Sequence, residues 1–473
     1  MLPLFVMNYY KSPHILFRDY PSFGYLTDNR NFGYDTAVKS CRKVGERVIS
    51  KVGSVFYSTL TYRPQTIREI AEKLSHIFTD IPLHTLENDA KDFLEELSLD
   101  GFVICSDGSA GDHVDDWFSY ANLQASPIEE TAIKDNTDQF DSNWFTNNHL
   151  TRLHLSISSA CNEHCVHCYF PYHTKGEVMT KELFDEILAQ CQKLNVLNIT
   201  MSGGEPLQNP HLKYFIQKCR EANFSINILS NLISITDDIV EEFKRTPLLS
   251  VQTSLYSLDE SIHDSITGVK GSCARTKKAI KTLYHLNIPM QINCPIMKQN
   301  RNTFQDVLSW AKSYNIEASS DYMLFGCFDG SRKNLQFRLE LPEVESLLNE
   351  LHTKDSNSVK EEPPYLKSIC PVCYSSLCIS SLGKAYPCEG WQSRILGDVN
   401  NQSISDIWKN SSDVLALRNL TINDFPKCKN CEDREYCSIC LIRNVNESEY
   451  LDCKDVNSYF CAIAKIKRQI MSK

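Results

Sequence analysis

In 473 residues the chain has no run of about 18 apolar residues, the length a membrane-spanning helix needs. Residues 1–10 lack the basic segment and long apolar core of an export signal. There is no excess of cations either: 49 Lys and Arg stand against 59 Asp and Glu, a net charge of -10. Polyanion binding needs clustered Lys and Arg to neutralise phosphates, so nucleic acid is not expected as the main partner. These absences predict a cytoplasmic protein with no membrane partner. Hydrophobic residues at 42% and charged residues at 23% are ordinary globular values, and the length predicts two or three domains. What the chain does have is cysteine, twenty of them. In a reducing compartment so many thiols point to metal or redox use before disulfides.

Three of them form Cys161-Asn-Glu-His-Cys165-Val-His-Cys168, spaced C-x3-C-x2-C after the strand-like run 153–159. Three thiolates do not close the four-ligand shell of a structural zinc, so the spacing suits a cubane iron-sulfur cluster with one iron open. The apolar run 196–201 then ends in Ser202-Gly203-Gly204-Glu205-Pro206, a turn whose glycines let backbone approach a ligand closely. Two further strand ends are polar, Ser230-Asn231 after 226–229 and Ser254-Leu-Tyr256-Ser257 after 251–253. Ten of the twenty cysteines crowd between Cys370 and Cys461, in the patterns Cys370-x2-Cys373-x4-Cys378, Gly383-x4-Cys388 and Cys428-x2-Cys431-x5-Cys437-x2-Cys440. Turn-linked thiolates converge readily on one centre, so this segment reads as a separate metal-dependent domain. Its tetrathiolate chemistry suits zinc as well as iron.

The cysteine loop followed by GGEP resembles the radical SAM superfamily, and the tail resembles its SPASM extension; together the resemblance covers residues 150–473. It implies that Cys161, Cys165 and Cys168 hold a [4Fe-4S] cluster whose open iron chelates S-adenosyl-L-methionine (SAM), cleaved to methionine and a 5'-deoxyadenosyl radical. By the same resemblance Gly203, Gly204, Glu205 and Pro206 hold the methionine end, with Glu205 receiving its ammonium. Ser230, Asn231 and Ser254 stand where ribose and carboxylate contacts occur, and His167 where backbone meets adenine. Two auxiliary [4Fe-4S] clusters are implied, three in all. Cys370, Cys388 and Cys440 would hold the first, with Cys373 as fourth ligand; Cys378, inside a strand, reads as a buried thiol but is an alternative. Cys428, Cys431, Cys437 and Cys461 would hold the second, with Cys453 as the alternative to Cys461. The last pair is spaced by two residues where three are usual in that extension.

Between about residues 149 and 355, short apolar strands alternate with amphipathic helices, the pattern of an α/β parallel sheet closed as a partial (β/α)6 barrel. Strands are expected at 153–158, 196–201, 225–229, 248–254, 290–296 and 318–325, with every proposed ligand at a C-terminal strand end. Residues 1–107 read as an N-terminal winged-helix-like module: strands at 15–18 and 23–26, helices at about 47–60, 66–78 and 83–97, and a closing strand at 100–104. It resembles the PqqD-like precursor-recognition domain. Residues 108–148, polar and acidic, read as a linker, and 356–473 as the small cysteine-rich C-terminal domain. Lys39, Arg42, Lys43, Arg47 and Lys51 form a basic run suited to steering an acidic leader, which would then add a strand to a sheet edge.

The function these resemblances imply is maturation of a ribosomally synthesised precursor peptide, its leader bound by the N-terminal module. An electron donor such as flavodoxin or ferredoxin would supply the first electron. The expected product is a thioether from cysteine to a carbon of another residue, as in sactipeptide and ranthipeptide maturases. Carbon-carbon or carbon-oxygen cross-linking, and maturation of an enzyme of the sulfatase or quinone-cofactor type, stay open. A rival of another class is a non-catalytic zinc-binding adaptor, which must treat the cysteine loop and GGEP as coincidence.

Overall fold

The computed structural model describes residues 7–32, 44–107, 148–170, 176–352, 369–370 and 372–472. Its centre is a nine-stranded sheet in the order β12-β11-β10-β9-β8-β7-β13-β14-β15. β7 (Arg152–Ser158), β8 (Asn198–Gly203), β9 (Ser225–Leu229), β10 (Ser250–Ser254), β11 (Met290–Asn293) and β12 (Glu317–Ser319) run parallel. Period-two alternation divides the two faces of this sheet. Leu153, Leu155, Ile157, Ile199, Met201, Ile226, Ile228 and Val251 are buried with the helices, while His154, Thr200, Asn227 and Gln252 line an inner cavity. The barrel interior is thus open and of mixed polarity, with Leu229 and Leu249 beside these polar groups, unlike the packed core of a closed barrel.

The outer helices explain themselves in the same way. Lys181–Lys193 buries Phe184, Ile187, Leu188 and Cys191 at helical spacing, and its N-cap Thr180 accepts from the Leu183 amide. Phe184 stacks on Phe215 of helix Leu212–Glu221 at 4.0 Å between ring centroids. Four units end alike: Asn195, Asn223, Asn287 and Asn315 take positive φ just past their helices. The next amide then bonds back to the last turn, as Val196 does to Cys191 at 3.0 Å and Phe224 to Cys219 at 2.9 Å. Asparagine tolerates this left-handed position, and the bond satisfies a helix-end carbonyl.

Three expectations are corrected. The expected strand at 318–325 is only Glu317–Ser319, because the chain leaves the sheet at Asp321, whose carboxylate accepts from the Met323 amide at 2.9 Å. The expected helix at 47–60 is a strand, β4 (Glu46–Ser50), followed by helix Lys51–Thr59; Ser50 closes the strand and caps the helix by accepting from the Gly53 amide at 3.0 Å. The cysteine-rich segment does not stand apart. Its first strand, β13 (Ser376–Ser380), pairs in parallel with β7 from Ser376↔Arg152 to Ser380↔Ser156, and β14 (Lys384–Tyr386) and β15 (Gly397–Asp398) continue the same sheet. Trp391, Ile404, Phe425 and Ile463 belong to the same apolar core as the barrel.

The N-terminal module has its own core, built from Tyr9, Leu26, Tyr57, Ile70, Leu74, Ala90 and Leu94. β1 (Asn8–Lys11) pairs with β5 (Gln65–Thr66) and β6 (Val103–Ser106), while β2 (Ile15–Asp19), β3 (Phe23–Asp28) and β4 form a second sheet. Helices Ile67–Ser75 and Leu83–Leu99 complete it, the first with a capping box between Thr66 and Glu69. Of the basic run, Lys39, Arg42 and Lys43 lie outside the described residues, as does 108–147 of the linker. Arg47 is paired with Glu96 and Asp100, and Lys51 with Asp19 at 2.5 Å.

This module is joined to the barrel where strands β8, β9 and β10 begin. Arg18, 6% exposed, donates from Nε to the Val196 carbonyl at 2.8 Å and stacks its guanidinium over Phe224 at 4.9 Å. Asn223 accepts from the Phe17 amide at 2.8 Å and donates to the Ile15 carbonyl at 3.0 Å, and Asn29 donates to the Pro247 carbonyl at 2.7 Å. Arg18→Ala is expected to lower stability by about 1–3 kcal/mol, because it strands buried partners without a donor. A urea midpoint equal to that of the parent chain would show that the seam contributes nothing.

Candidate active site at the strand ends

The rim of the barrel is built around one carboxylate. Glu205, 1% exposed, accepts from the Leu207 amide at 2.9 Å and the Ser230 hydroxyl at 2.7 Å on Oε1, and from the Asn231 amide at 2.8 Å on Oε2. It thereby caps the short turn Pro206–Gln208 and locks the end of β9 to the end of β8. Asn231 in turn donates to Asn162 at 2.7 Å, and Asn162 to Ser234 at 3.0 Å. The cysteine loop, the GGEP turn and the Ser230-Asn231 turn are one hydrogen-bonded unit.

The two glycines are required by close approach. A Cβ on Gly203, which has φ of +125°, would stand 2.0 Å from the Ser158 carbonyl oxygen, and one on Gly204 2.6 Å from that of Ala160. The backbone there is already committed: the Gly204 amide donates to the Ser158 carbonyl at 2.7 Å and the Glu205 amide to that of Ala160 at 2.9 Å. The far side of the cysteine loop is held by helix Glu260–Thr267. His164 and Val166 donate to the Thr267 and Ile266 carbonyls at 2.8 and 2.9 Å.

His167 is half-buried and its Nε2 meets the Tyr256 hydroxyl at 3.3 Å, the rings lying edge to face at 5.0 Å. Burial holds its imidazole down at about 4, so the ring is neutral. Ser254 ends β10 two residues before the same tyrosine. Cys161, Cys165 and Cys168 share this rim: Cys168 donates its amide to the Cys165 carbonyl at 3.1 Å, and the Cys165 thiol feels both of the others. The structure therefore brings Cys161, Cys165, Cys168, His167, Gly203, Gly204, Glu205, Pro206, Ser230, Asn231 and Ser254 to neighbouring strand ends and turns. Sequence reasoning passed over Glu163. Its carboxyl is 4% exposed, faces the Cys165 thiol at 3.5 Å and leaves Oε1 without a hydrogen-bond partner. Burial raises both Glu163 and Glu205 to about 7.

Below the rim, the inner cavity is lined by His154, Thr200, Asn227 and Gln252 from the strands and by Cys370, Cys388 and Cys440 from the tail. Cys378 also lines it from β13 and donates its thiol to Glu389 at 2.7 Å, with His154 3.8 Å from the same carboxylate. That bond gives Cys378 a buried partner of its own. Cys373, fully buried at φ of +62°, lies within electrostatic reach of Cys370 and Cys388, and Cys453 within reach of Cys370. A second cavity is lined by Cys428, Cys431, Cys437, Cys440 and Cys461, of which Cys437 and Cys440 also line the first; Cys453 is not among its walls.

Among the described residues no group of three or more His, Cys, Asp or Glu is arranged to hold one metal ion. Tetrahedral zinc thiolates stand about 4 Å apart, since each bond is about 2.3 Å. Thiolates that each take a different iron of a cubane stand farther apart, so cysteines lining a cavity without converging on a point fit a cluster better. None of the described cysteines is in a disulfide.

A parallel α/β partial barrel with a three-cysteine loop and a glycine turn at its strand ends is the class this geometry defines. Comparison with known proteins agrees. Residues 155–311 match the model of the radical SAM superfamily, and residues 370–432 match that of the SPASM iron-sulfur cluster-binding domain. The chain carries both domains, and they indicate [4Fe-4S] clusters and SAM as its cofactors. It is similar to an AdoMet-dependent heme synthase of Methanosarcina barkeri, 24% identical over 326 residues that make up 61% of this chain and 90% of the relative. It is also similar to a PqqA peptide cyclase of Bradyrhizobium diazoefficiens, 23% identical over 300 residues, 59% of this chain and 78% of the relative. Among solved structures, Streptococcus suis SuiB bound to its precursor peptide SuiA superposes with a TM-score of 0.59 at 16% identity, covering 95% of this chain and 99% of SuiB. The likeness spans the N-terminal module as well as the barrel. The AdoMet-bound enzyme anSMEcpe superposes with a TM-score of 0.54 at 14% identity, over 68% of this chain and 93% of its own. Among the described residues no helix is long and apolar enough to cross a membrane.

Proposed function

We propose that this chain is a radical SAM maturase of a ribosomally made precursor peptide, and that its product is a thioether cross-link. The observation that carries the reading is the inner cavity, which joins the polar wall of the barrel to Cys370, Cys388 and Cys440. A peptide segment lying in that cavity has the cofactor rim on one side and the first auxiliary cysteine group on the other. When bound, the cluster and SAM supply a 5'-deoxyadenosyl radical that removes hydrogen from an unactivated carbon. The chain's part is positional. Glu205 orients an ammonium, the Gly203-Gly204 backbone seats that carboxylate against the cysteine loop, and the walls of the cavity position the peptide. Bonding a thiolate to a carbon radical leaves one electron in excess, for which the auxiliary cysteine groups provide acceptor sites. The relatives' printed substrates, a PqqA peptide and SuiA, support a peptide as the class.

We assign three clusters: Cys161, Cys165 and Cys168; Cys370, Cys373, Cys388 and Cys440; and Cys428, Cys431, Cys437 and Cys461. Anaerobically purified protein is then expected to hold about twelve irons, and the triple change of Cys161, Cys165 and Cys168 to Ala to lose about a third of them, one cubane in three, with all 5'-deoxyadenosine formation. Zinc in the tail, or cofactor cleavage that persists in the triple variant, overturns the assignment.

Glu205 also predicts a pH dependence. Its carboxyl rises from 4.5 in the open chain to about 7 in the fold through burial. A raised acid favours the fold fully below the lower value and loses that contribution as pH climbs through the higher one. An ammonium ligand prefers the ionised form, so SAM affinity should rise with pH until Glu205 has lost its proton. Titration calorimetry on the loaded enzyme should find binding about tenfold weaker at pH 6 than at pH 8. Equal affinities would remove Glu205 from the ammonium site.

The N-terminal module is assigned to the leader. Among the described residues β4 has β3 as its one ladder partner, and its exposed face carries Val48 at 41% exposure. An added strand would satisfy that edge. On addition of precursor peptide, hydrogen exchange should slow across Glu46–Ser50; slowing confined to the barrel cavity would make the module a structural part of the barrel.

A further inference from the structure

We propose that Arg443, aided by Arg434, is a cationic wall between the two auxiliary cysteine groups that raises the reduction potential of the cluster held by Cys428, Cys431, Cys437 and Cys461. This rests on the assignment of those four cysteines as cluster ligands. Both arginines line both cavities, so they stand between the two groups. Arg434 is pinned there by donating to the Cys437 carbonyl at 2.5 Å. Arg443 rests its guanidinium over the Phe460 ring at 4.9 Å, and its Nε has no hydrogen-bond partner. The acid paired with it, Asp321, is 4.0 Å away and 64% exposed, so little of the charge is cancelled.

The neighbouring charges act in the same sense. Lys427 acts on Cys428 and Lys467 on Cys437 in the same direction as the arginines. Asp433 is already paired with Arg468 at 2.5 Å. The first group has a cation of its own, Arg418, which donates from Nε to the Cys373 carbonyl at 2.6 Å; there Glu389 stands beside Cys388, and Arg394, which also reaches Cys373, is held by Asp413 at 2.5 Å. A thiolate-ligated cubane is anionic, and taking one electron adds one negative charge. A fixed cation close by in a poorly screened site stabilises the reduced form more than the oxidised form.

The test is an anaerobic redox titration of full-length loaded protein followed by electron paramagnetic resonance. The signal of the second cluster is identified as the one absent when Cys428→Ala and Cys431→Ala are combined. Arg443→Gln should lower its midpoint enough to change the reduced fraction about tenfold at fixed potential, 59 mV for a one-electron couple. Arg443→Lys, which keeps the charge, should stay close to the parent. An unchanged midpoint in Arg443→Gln overturns the proposal, as does an equal fall in Arg443→Lys, which would trace the effect to packing on Phe460. A parent protein with no signal dependent on Cys428 and Cys431 would instead refute the ligand assignment, and the inference with it.

Discussion

The buried carboxylate of Glu205 is the constraint on which the rest of the rim depends. It accepts three hydrogen bonds from two segments, and through Asn231 and Asn162 a third segment, the cysteine loop, is tied to it. A carboxylate removed from water is costly unless its lone pairs are satisfied, so the turn after β8 and the turn after β9 have little freedom to move. The glycines before it follow from the same constraint. Bringing Glu205 to that position presses the backbone of 203–204 against the carbonyls of Ser158 and Ala160, where no Cβ fits.

A second consequence lies in the sheet. Because His154, Thr200, Asn227 and Gln252 point inward and do not fill the barrel, a space remains inside it whose other wall is the cysteine-rich tail. Adding β13 to the edge at β7 carries Cys378, Glu389 and Cys388 to the cavity wall. The tail is thereby held by backbone hydrogen bonds and a shared core, so its cysteine groups are placed by the barrel sheet itself.

Much of this was legible because the signals were local. The alternation in 153–158 and 225–229, the helical spacing of Phe184, Ile187 and Cys191, and the cysteine spacings each depend on neighbours a few residues away. The comparisons and the sheet bear out the α/β parallel fold and the two cofactor-binding domains. What was missed depended on partners far along the chain. Residues 47–50 carry no helix-breaking residue, yet pairing with β3 makes them a strand. β13 reads as an ordinary short apolar run until β7 supplies its partner 224 residues away. The recurring Asn after each outer helix was visible, in Leu-Asn-Val, Ala-Asn-Phe, Leu-Asn-Ile and Tyr-Asn-Ile, but an exposed Asn has many uses and its left-handed role shows only in the backbone. Glu163 was hidden because an acid between cysteines gives no sign of whether it faces solvent or the site.

Glu163 and Glu205 together indicate what the rim is built to receive. Two carboxyls buried on the same rim repel, and each is pushed up to about 7 by loss of water, with Glu205 adding to the shift at Glu163. The packing requires a carboxylate only at Glu205, whose two oxygens both accept from fixed donors; an amide at Glu163 would fill the same volume without a charge to desolvate. The charge at Glu163, whose Oε1 has no hydrogen-bond partner, is offset where a cation enters, since a buried positive group lowers the energy of the ionised form. On the proposed reading that cation is SAM, which carries both an ammonium and a sulfonium. The shape of the rim and its choice of ligand then have a single electrostatic origin, and the hydrogen bonds to Glu205 hold that charge in place for the ligand to meet.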